Sequence, residues 1–130
     1  MDFDDFKRVN DTFGHGVGDE LLVAIAERLK HVVRPSDVVA RLAGDEFTVL
    51  LSDVQSEKDA TQAAERITQA FAEPLELSDQ TPRVTVSIGV VMSDAHYRRP
   101  EEILRDADLA MYRAKSAGKA GYAVFRPALS

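Results

Sequence analysis

Val38-Val39-Ala40-Arg41-Leu42-Ala43-Gly44-Asp45-Glu46-Phe47-Thr48-Val49-Leu50-Leu51 is the stretch on which the fold turns. Two apolar, β-branched runs flank a tight centre, Ala43-Gly44-Asp45-Glu46. Val39 and Arg41, then Phe47, Val49 and Leu51, alternate with their neighbours, which is the pattern of strands half-buried in a sheet. Gly44 permits positive φ at the tip and leaves room for a ligand to come close. Asp45 and Glu46 place two adjacent carboxylates there, where desolvation and mutual repulsion are costly unless a cation neutralises them. On the hairpin alone, a solvated acidic β-turn is the weightier reading.

Outward from the hairpin, helices and strands interleave. Upstream, Leu21, Leu22, Ile25, Leu29 and Val32 recur at helical spacing and predict a helix from about Val17 to Val33, stopped by Pro35. Downstream, Ser56-Glu57-Lys58-Asp59 reads as a helix start with a capping-box-like pattern. Ala60, Ala63, Ala64, Ile67 and Phe71 form the buried stripe of that helix. Pro74 and Pro82 punctuate a short strand and loop. Val84 to Val90 alternates strictly and predicts a strand. Pro100-Glu101-Glu102 opens a third long helix, with Ile103, Ala107, Ala110 or Met111, and Ala114 facing inward, and Gly118 ends it. Tyr122 to Phe125 closes the chain as an edge strand. The result is an α+β fold, an α/β sandwich with helices packed on a mostly antiparallel sheet.

Composition bounds the function. The chain has 130 residues, 45% apolar and 29% charged, which suits one globular domain, residues 1–130, with a real core. Its net charge is −6 and its pI about 5.0, which argues against a nucleic-acid partner. A small phosphorylated ligand brought in with a divalent metal remains compatible. No cysteine is present, so thiolate chemistry and disulfides are excluded. No apolar run is long enough to span a bilayer and no signal peptide is visible, so a cytoplasmic domain without membrane contact is expected.

The start of the chain is acidic. Asp2, Asp4 and Asp5 interleave with Phe3 and Phe6. In a strand, Asp2 and Asp4 share one face and Phe3 points to the other. Phe6, Val9 and Asn10 suit a short helical turn, which Asp4 or Asp5 can cap. Three of the seven glycines, Gly14, Gly16 and Gly18, lie within five residues. A glycine-rich loop opening a helix is a phosphate cradle in principle, but this spacing matches neither the dinucleotide fingerprint nor the P-loop. Asp19 near the helix start is equally well explained by the helix dipole, and His15 alone reads as a surface histidine.

Asp2 to His15, Gly18-Asp19-Glu20-Leu21-Leu22, Arg41 to Phe47, Val84 to Val90 and Ala107 to Lys115, in that order, resemble the GGDEF family of diguanylate cyclases. The resemblance covers nearly the whole chain. It implies an adenylyl-cyclase-like, ferredoxin-like palm and the condensation of two GTP molecules into cyclic di-GMP and two pyrophosphates, by attack of each ribose 3′-oxygen on an α-phosphorus. It further implies Mg2+ (or Mn2+) held by Asp2, Asp45 and the Phe3 carbonyl, with Asp45 as proton acceptor and Glu46 tuning that role or binding metal. Asn10 and Asp19 would read guanine, and His15 falls on a substrate position. Lys115 and Lys119 would reach the phosphates. Arginine is more frequent in the family at Lys119, and asparagine at Ala120. Arg34 and Asp37, five residues before the signature, would form an inhibitory site for the product. The alternative there is an ordinary helix-terminating turn with an i,i+3 ion pair, because Arg-x-x-Asp also occurs at Arg8 and Arg105.

The chain departs from the family in two ways. Its signature begins with Ala43 in place of glycine. The family's first strand and a preceding helix also extend upstream of the position of Met1. From this we expect a largely missing central strand, lower stability and weakened activity, which uniformly slow hydrogen exchange across Val84–Val90 would contradict. A homodimeric cyclase is the first functional reading, since one domain binds one GTP. A catalytically impaired GTP- or cyclic di-GMP-binding regulatory module is the alternative. A purely structural dimerisation domain ranks last, because the polar site is retained.

Overall fold

The fold is seen in a computed structural model that describes residues 1–4, 6–43, 45–52, 54–77, 82–93 and 96–126, with no side-chain description for His15, Leu42 and Ala43. The elements run β1 (Asp2–Phe3), α1 (Phe6–Phe13), α2 (His15–Val32), β2 (Val38–Ala43), β3 (Glu46–Leu50), α3 (Glu57–Ala70), β4 (Val86–Val90), α4 (Pro100–Ser116) and β5 (Tyr122–Val124). The sheet order is β2-β3-β1-β4-β5. The expected hairpin forms, with Val39 opposite Val49 and Arg41 opposite Phe47, and the ladder shifts between Arg41 and Ala43. Among the described residues only β4 and β5 pair in parallel, and α4 supplies the crossover that such a pair needs. The mostly antiparallel α+β palm is therefore present.

β1 is short but central. Asp2 pairs with Glu46 on one side and with Ser87 on the other. Met1 N donates to Phe47 O at 2.8 Å, and Phe47 N donates to Met1 O at 3.0 Å. Phe3 meets Phe47 edge-on with ring centres 5.6 Å apart, and Phe71 at 4.9 Å. Leu21, Ile25 and Leu29 of α2, Ala60, Ala64 and Ile67 of α3, and Val86, Ile88 and Val90 of β4 complete one core on this face. Each large side chain so buried stabilises by about 1.5–3 kcal/mol.

Strand alternation sends Gly89 to the opposite face, under α4. A Cβ there would lie 2.0 Å from Ala107 O and 2.6 Å from Met111 N. Glycine thus lets the α4 backbone rest directly on β4. Helices consequently cover both faces, α2 and α3 on one and α4 on the other.

Several boundaries differ from expectation. α1 is a full helix of eight residues rather than a turn, its buried anchor being Val9. α2 starts at His15, inside the glycine run and ahead of the expected Val17, with Gly14 at the N-cap. β4 starts at Val86, not Val84, although Thr85 O still accepts from Asp4 N at 2.8 Å. Around Pro74 and Pro82 the described residues contain no strand; Leu75 N donating to Pro82 O at 2.9 Å closes the loop instead. Gly44 and Asp5 lie outside the described residues.

Candidate functional site

Alternation along β1 decides the site. Phe3 goes to the core, so Asp2 points to the other face. Its partner across the ladder is Glu46, immediately after Asp45 in the hairpin turn. Lys115, in the last turn of α4, pairs its ammonium with Asp2 Oδ2. Residues from the start, middle and end of the chain thus converge where the central strand meets the hairpin tip.

The charges there are not balanced. Asp2 Oδ1 is buried and meets no donor among the described residues; a protonated Asp45 carboxyl would supply one. Burial, then a hydrogen bond with Asp2 and repulsion from it, push the Asp45 carboxyl up to about 6, while its own backbone and Lys115 pull the other way. Burial works to lower the Lys115 pKa, but its bond to Asp2 and the charges of Asp2, Asp4 and Asp45 outweigh it and hold it above the usual lysine value. Glu46 is exposed.

This donor set fits a hard divalent cation. An orphaned buried carboxylate oxygen facing a carboxyl reluctant to ionise is what a cation would relieve. No group of three or more acidic or histidine side chains gathers among the described residues, so the protein would offer two carboxylates and a carbonyl. Mg2+ tolerates that, since it keeps waters and takes phosphate oxygens.

A second cluster forms at the corner between α1 and α2. Gly14 N donates to Asn10 O at 2.8 Å, and Gly18 N to Gly14 O at 3.1 Å. A Cβ on Gly18 would sit 2.1 Å from Asn10 Oδ1. Gly18 therefore admits the Asn10 carboxamide against the α2 backbone, beside the exposed Asp19. His15 contributes its backbone to the first position of α2, and its side chain lies outside the described residues. Lys119 is exposed beyond α4 and has φ 63°.

Arg34 and Asp37 stand apart. They precede β2, whereas Asp45 follows it, which is about 20 Å of strand at roughly 3.3 Å per residue. Asp37 Oδ2 accepts from Arg34 N and Oδ1 from Ser52 N, both at 2.9 Å. The turn is thus closed by a backbone donor rather than by a side-chain ion pair, and the Arg34 side chain is exposed.

The sequence offers Asp4 or Asp5 as a cap for α1; Asp5 lies outside the described residues, and the Asp4 carboxylate is turned to other partners. It is buried, with 3% exposure. Ser87 Oγ donates to its Oδ1 at 2.8 Å; Thr85 Oγ1 and Ala120 N donate to its Oδ2 at 2.7 and 3.2 Å. Local sequence held no signal for partners 81 to 116 residues away.

The family model described as "Diguanylate cyclase, GGDEF domain" matches residues 1–121. The bifunctional diguanylate cyclase/cyclic di-GMP phosphodiesterase MucR of Pseudomonas aeruginosa is 40% identical over 130 residues, all of this chain but 19% of MucR. Diguanylate cyclase TpbB of the same species is 45% identical over 116 residues, 88% of this chain and 27% of TpbB. The chain therefore spans about a fifth to a quarter of these relatives. The crystal structure of the TpbB GGDEF domain superposes with a TM-score of 0.91 at 41% identity, covering 98% of this chain and 80% of that one. The GGDEF domain of DgcB from Caulobacter crescentus, solved in complex with c-di-GMP, gives 0.78 at 25% identity, covering 95% and 73%. Among the described residues, no helix is long and apolar enough to cross a membrane.

Proposed function

The chain belongs to the family of GGDEF diguanylate cyclase domains, and from that premise we propose that residues 1–130 form one such domain, a cytoplasmic diguanylate cyclase that condenses two GTP into cyclic di-GMP. The observation that carries this reading is the convergence of Asp2, Asp45 and Lys115 with charge left over. Asp2, Asp45 and the Phe3 carbonyl would hold Mg2+ or Mn2+, which when bound supplies neutralisation of the triphosphate and alignment of attacking and leaving oxygens. Asp45 accepts the proton of the ribose 3′-hydroxyl. Glu46 beside it adds negative field or a further oxygen ligand. The 3′-oxygen attacks the α-phosphorus of the second GTP, and pyrophosphate leaves.

Lys115 sits between two uses. Without nucleotide it offsets Asp2; with nucleotide it turns to the phosphates, joined by Lys119 as a point charge. Asn10 and Asp19 pair with the guanine edge, Asp19 accepting from its N1–H and N2–H₂, with His15 at the same end. Each domain holds one GTP, so the reaction needs a homodimer with two sites facing. Arg34 grips product guanine at O6 and N7, and Asp37, already bound to the turn, keeps Arg34 in place, giving product inhibition away from the reacting atoms.

The experiment is cyclic di-GMP formation from GTP and Mg2+ beside GTP binding. Asp19→Ala is expected to lose GTP binding. Asp45→Asn is expected to keep GTP binding and lose turnover by about 10²–10⁴-fold, the usual span for a general base. Turnover that survives Asp45→Asn would overturn the assignment.

A further inference from the structure

Two consecutive non-glycine residues, Lys119 at φ 63° and Ala120 at φ 52°, adopt the left-handed conformation after α4. An L side chain there crowds the following carbonyl, and the conformation persists only where surrounding bonds over-determine it. The turn is tied on both sides. Lys119 N donates to Ala114 O at 3.1 Å, closing the helix end, and Ile88 N donates to Gly121 O at 2.9 Å, joining the sheet. Between these ties the Ala120 N–H has one partner, Asp4 Oδ2.

Asp4 is well built for that task. It is buried, its own N–H is fixed on Thr85 O, and the hydroxyls of Thr85, just before β4, and of Ser87, within it, hold its carboxylate. A charged acceptor gives a backbone N–H about twice the strength of a neutral one. Asparagine is the residue that tolerates this conformation best after glycine, so alanine at 120 leaves the turn more dependent on its latch.

We propose that Asp4 is a positioning residue that latches the strained Lys119–Ala120 turn onto β1 and β4 and thereby presents Lys119 to the nucleotide phosphates. This rests on the phosphate role of Lys119 given above. Lys115 is carried by α4 and bonded to Asp2; Asp4 acts on it through its charge, an effect that Ala120→Gly does not restore. Losing the latch therefore weakens nucleotide binding while the carboxylate chemistry at Asp2 and Asp45 continues.

The test pairs hydrogen exchange at the Ala120 amide with KM and kcat for GTP. Asp4→Ala is expected to deprotect Ala120 and raise KM about tenfold, with kcat within about threefold. Adding Ala120→Gly, which removes the crowding, should recover most of that KM; alone it should leave KM unchanged. Asp4→Asn should also recover it, because its amide oxygen still accepts from Ala120 while its NH₂ donates to Ser87 Oγ. If Asp4→Ala does not fold, Ala120→Val keeps Asp4 in the core and should raise KM by opening the turn. An unprotected Ala120 amide in the native chain, or KM unmoved when Ala120 is deprotected, would overturn the proposal. So would a loss of kcat that Ala120→Gly does not rescue, which would make Asp4 a support of the core alone. A native chain that binds no GTP would instead sink the cyclase reading, and Ala120 protection would then mark a latch without a nucleotide.

Discussion

Acids at the two ends of β2 have opposite fates. At the Asp37 end, both carboxylate oxygens receive backbone N–H groups, from Arg34 and Ser52, and Ser52 Oγ donates to Ser36 O at 3.0 Å. That acid completes the fold. At the Asp45 end, two carboxyls crowd each other, Asp2 Oδ1 meets no donor among the described residues, and Lys115 and the Met1 ammonium offset part of the charge. Those acids work against the fold and leave the balance for a ligand to supply. The difference separates residues that build the domain from residues that act.

Removing each acid should therefore move stability in opposite directions. Asp37→Ala orphans two backbone donors and should cost about 1–3 kcal/mol in urea unfolding; Arg34→Ala should stay within about 0.5 kcal/mol. Both should relieve product inhibition. A stabilising Asp37→Ala would break the comparison.

The Asp45 end predicts a pH effect of known sign. Its carboxyl titrates near 6 in the folded chain against an ordinary 3.8, so the folded state holds the proton more tightly than the unfolded one. Stability from this group is present below about 4 and is lost as pH rises through about 6. The full shift would be near 3 kcal/mol, but the carboxyl is only partly buried and about 1 kcal/mol is the discounted expectation. Metal-free unfolding of wild type minus Asp45→Asn across that window isolates it; a flat difference would show that neither burial nor Asp2 shifts this carboxyl in the folded chain.

A smaller contrast lies at the guanine end. Gly18→Ala should push the Asn10 carboxamide off α2 and weaken GTP binding about tenfold, the equivalent of one good hydrogen bond, measured by titration. Unchanged affinity would remove Asn10 from the site. The smallest effect is structural: Ala120→Gly relieves a left-handed alanine and should stabilise by about 0.5–1 kcal/mol in thermal unfolding.

The legible parts of the molecule were its local ones. Alternation in Val38–Leu51 announced β2 and β3, and the apolar stripes of α2, α3 and α4 announced those helices. Resemblance, rather than periodicity, pointed to Asp2 and Asp45, whose meeting needs β1 inserted between β3 and β4. α1 was underread because its apolar residues, Phe6, Val9 and Phe13, are sparse. The parallel β4–β5 pair left no local mark. Nor did the contacts that hold distant segments together. Arg28 from α2 donates to Ala70 O, Glu73 O and Pro74 O at the end of α3, its guanidinium 5.6 Å from the centre of the Phe71 ring. Tyr122 reaches Glu65, and Arg126 forks onto Glu57. Such pairs join positions that chain order keeps far apart.

The central claim is that the Asp2–Asp45 end is left short of positive charge for a metal and a triphosphate to supply. Thermal unfolding of wild type and Asp45→Asn at about pH 7, in EDTA and in excess Mg2+, tests it most directly. The variant should melt a few degrees higher in EDTA, as ~1 kcal/mol implies for a chain of this size, and Mg2+ should raise the wild-type midpoint while leaving the variant unmoved. A variant that melts lower in EDTA, with a wild type indifferent to Mg2+, would contradict the claim and place Asp45 with Asp37 among the residues that only build the fold.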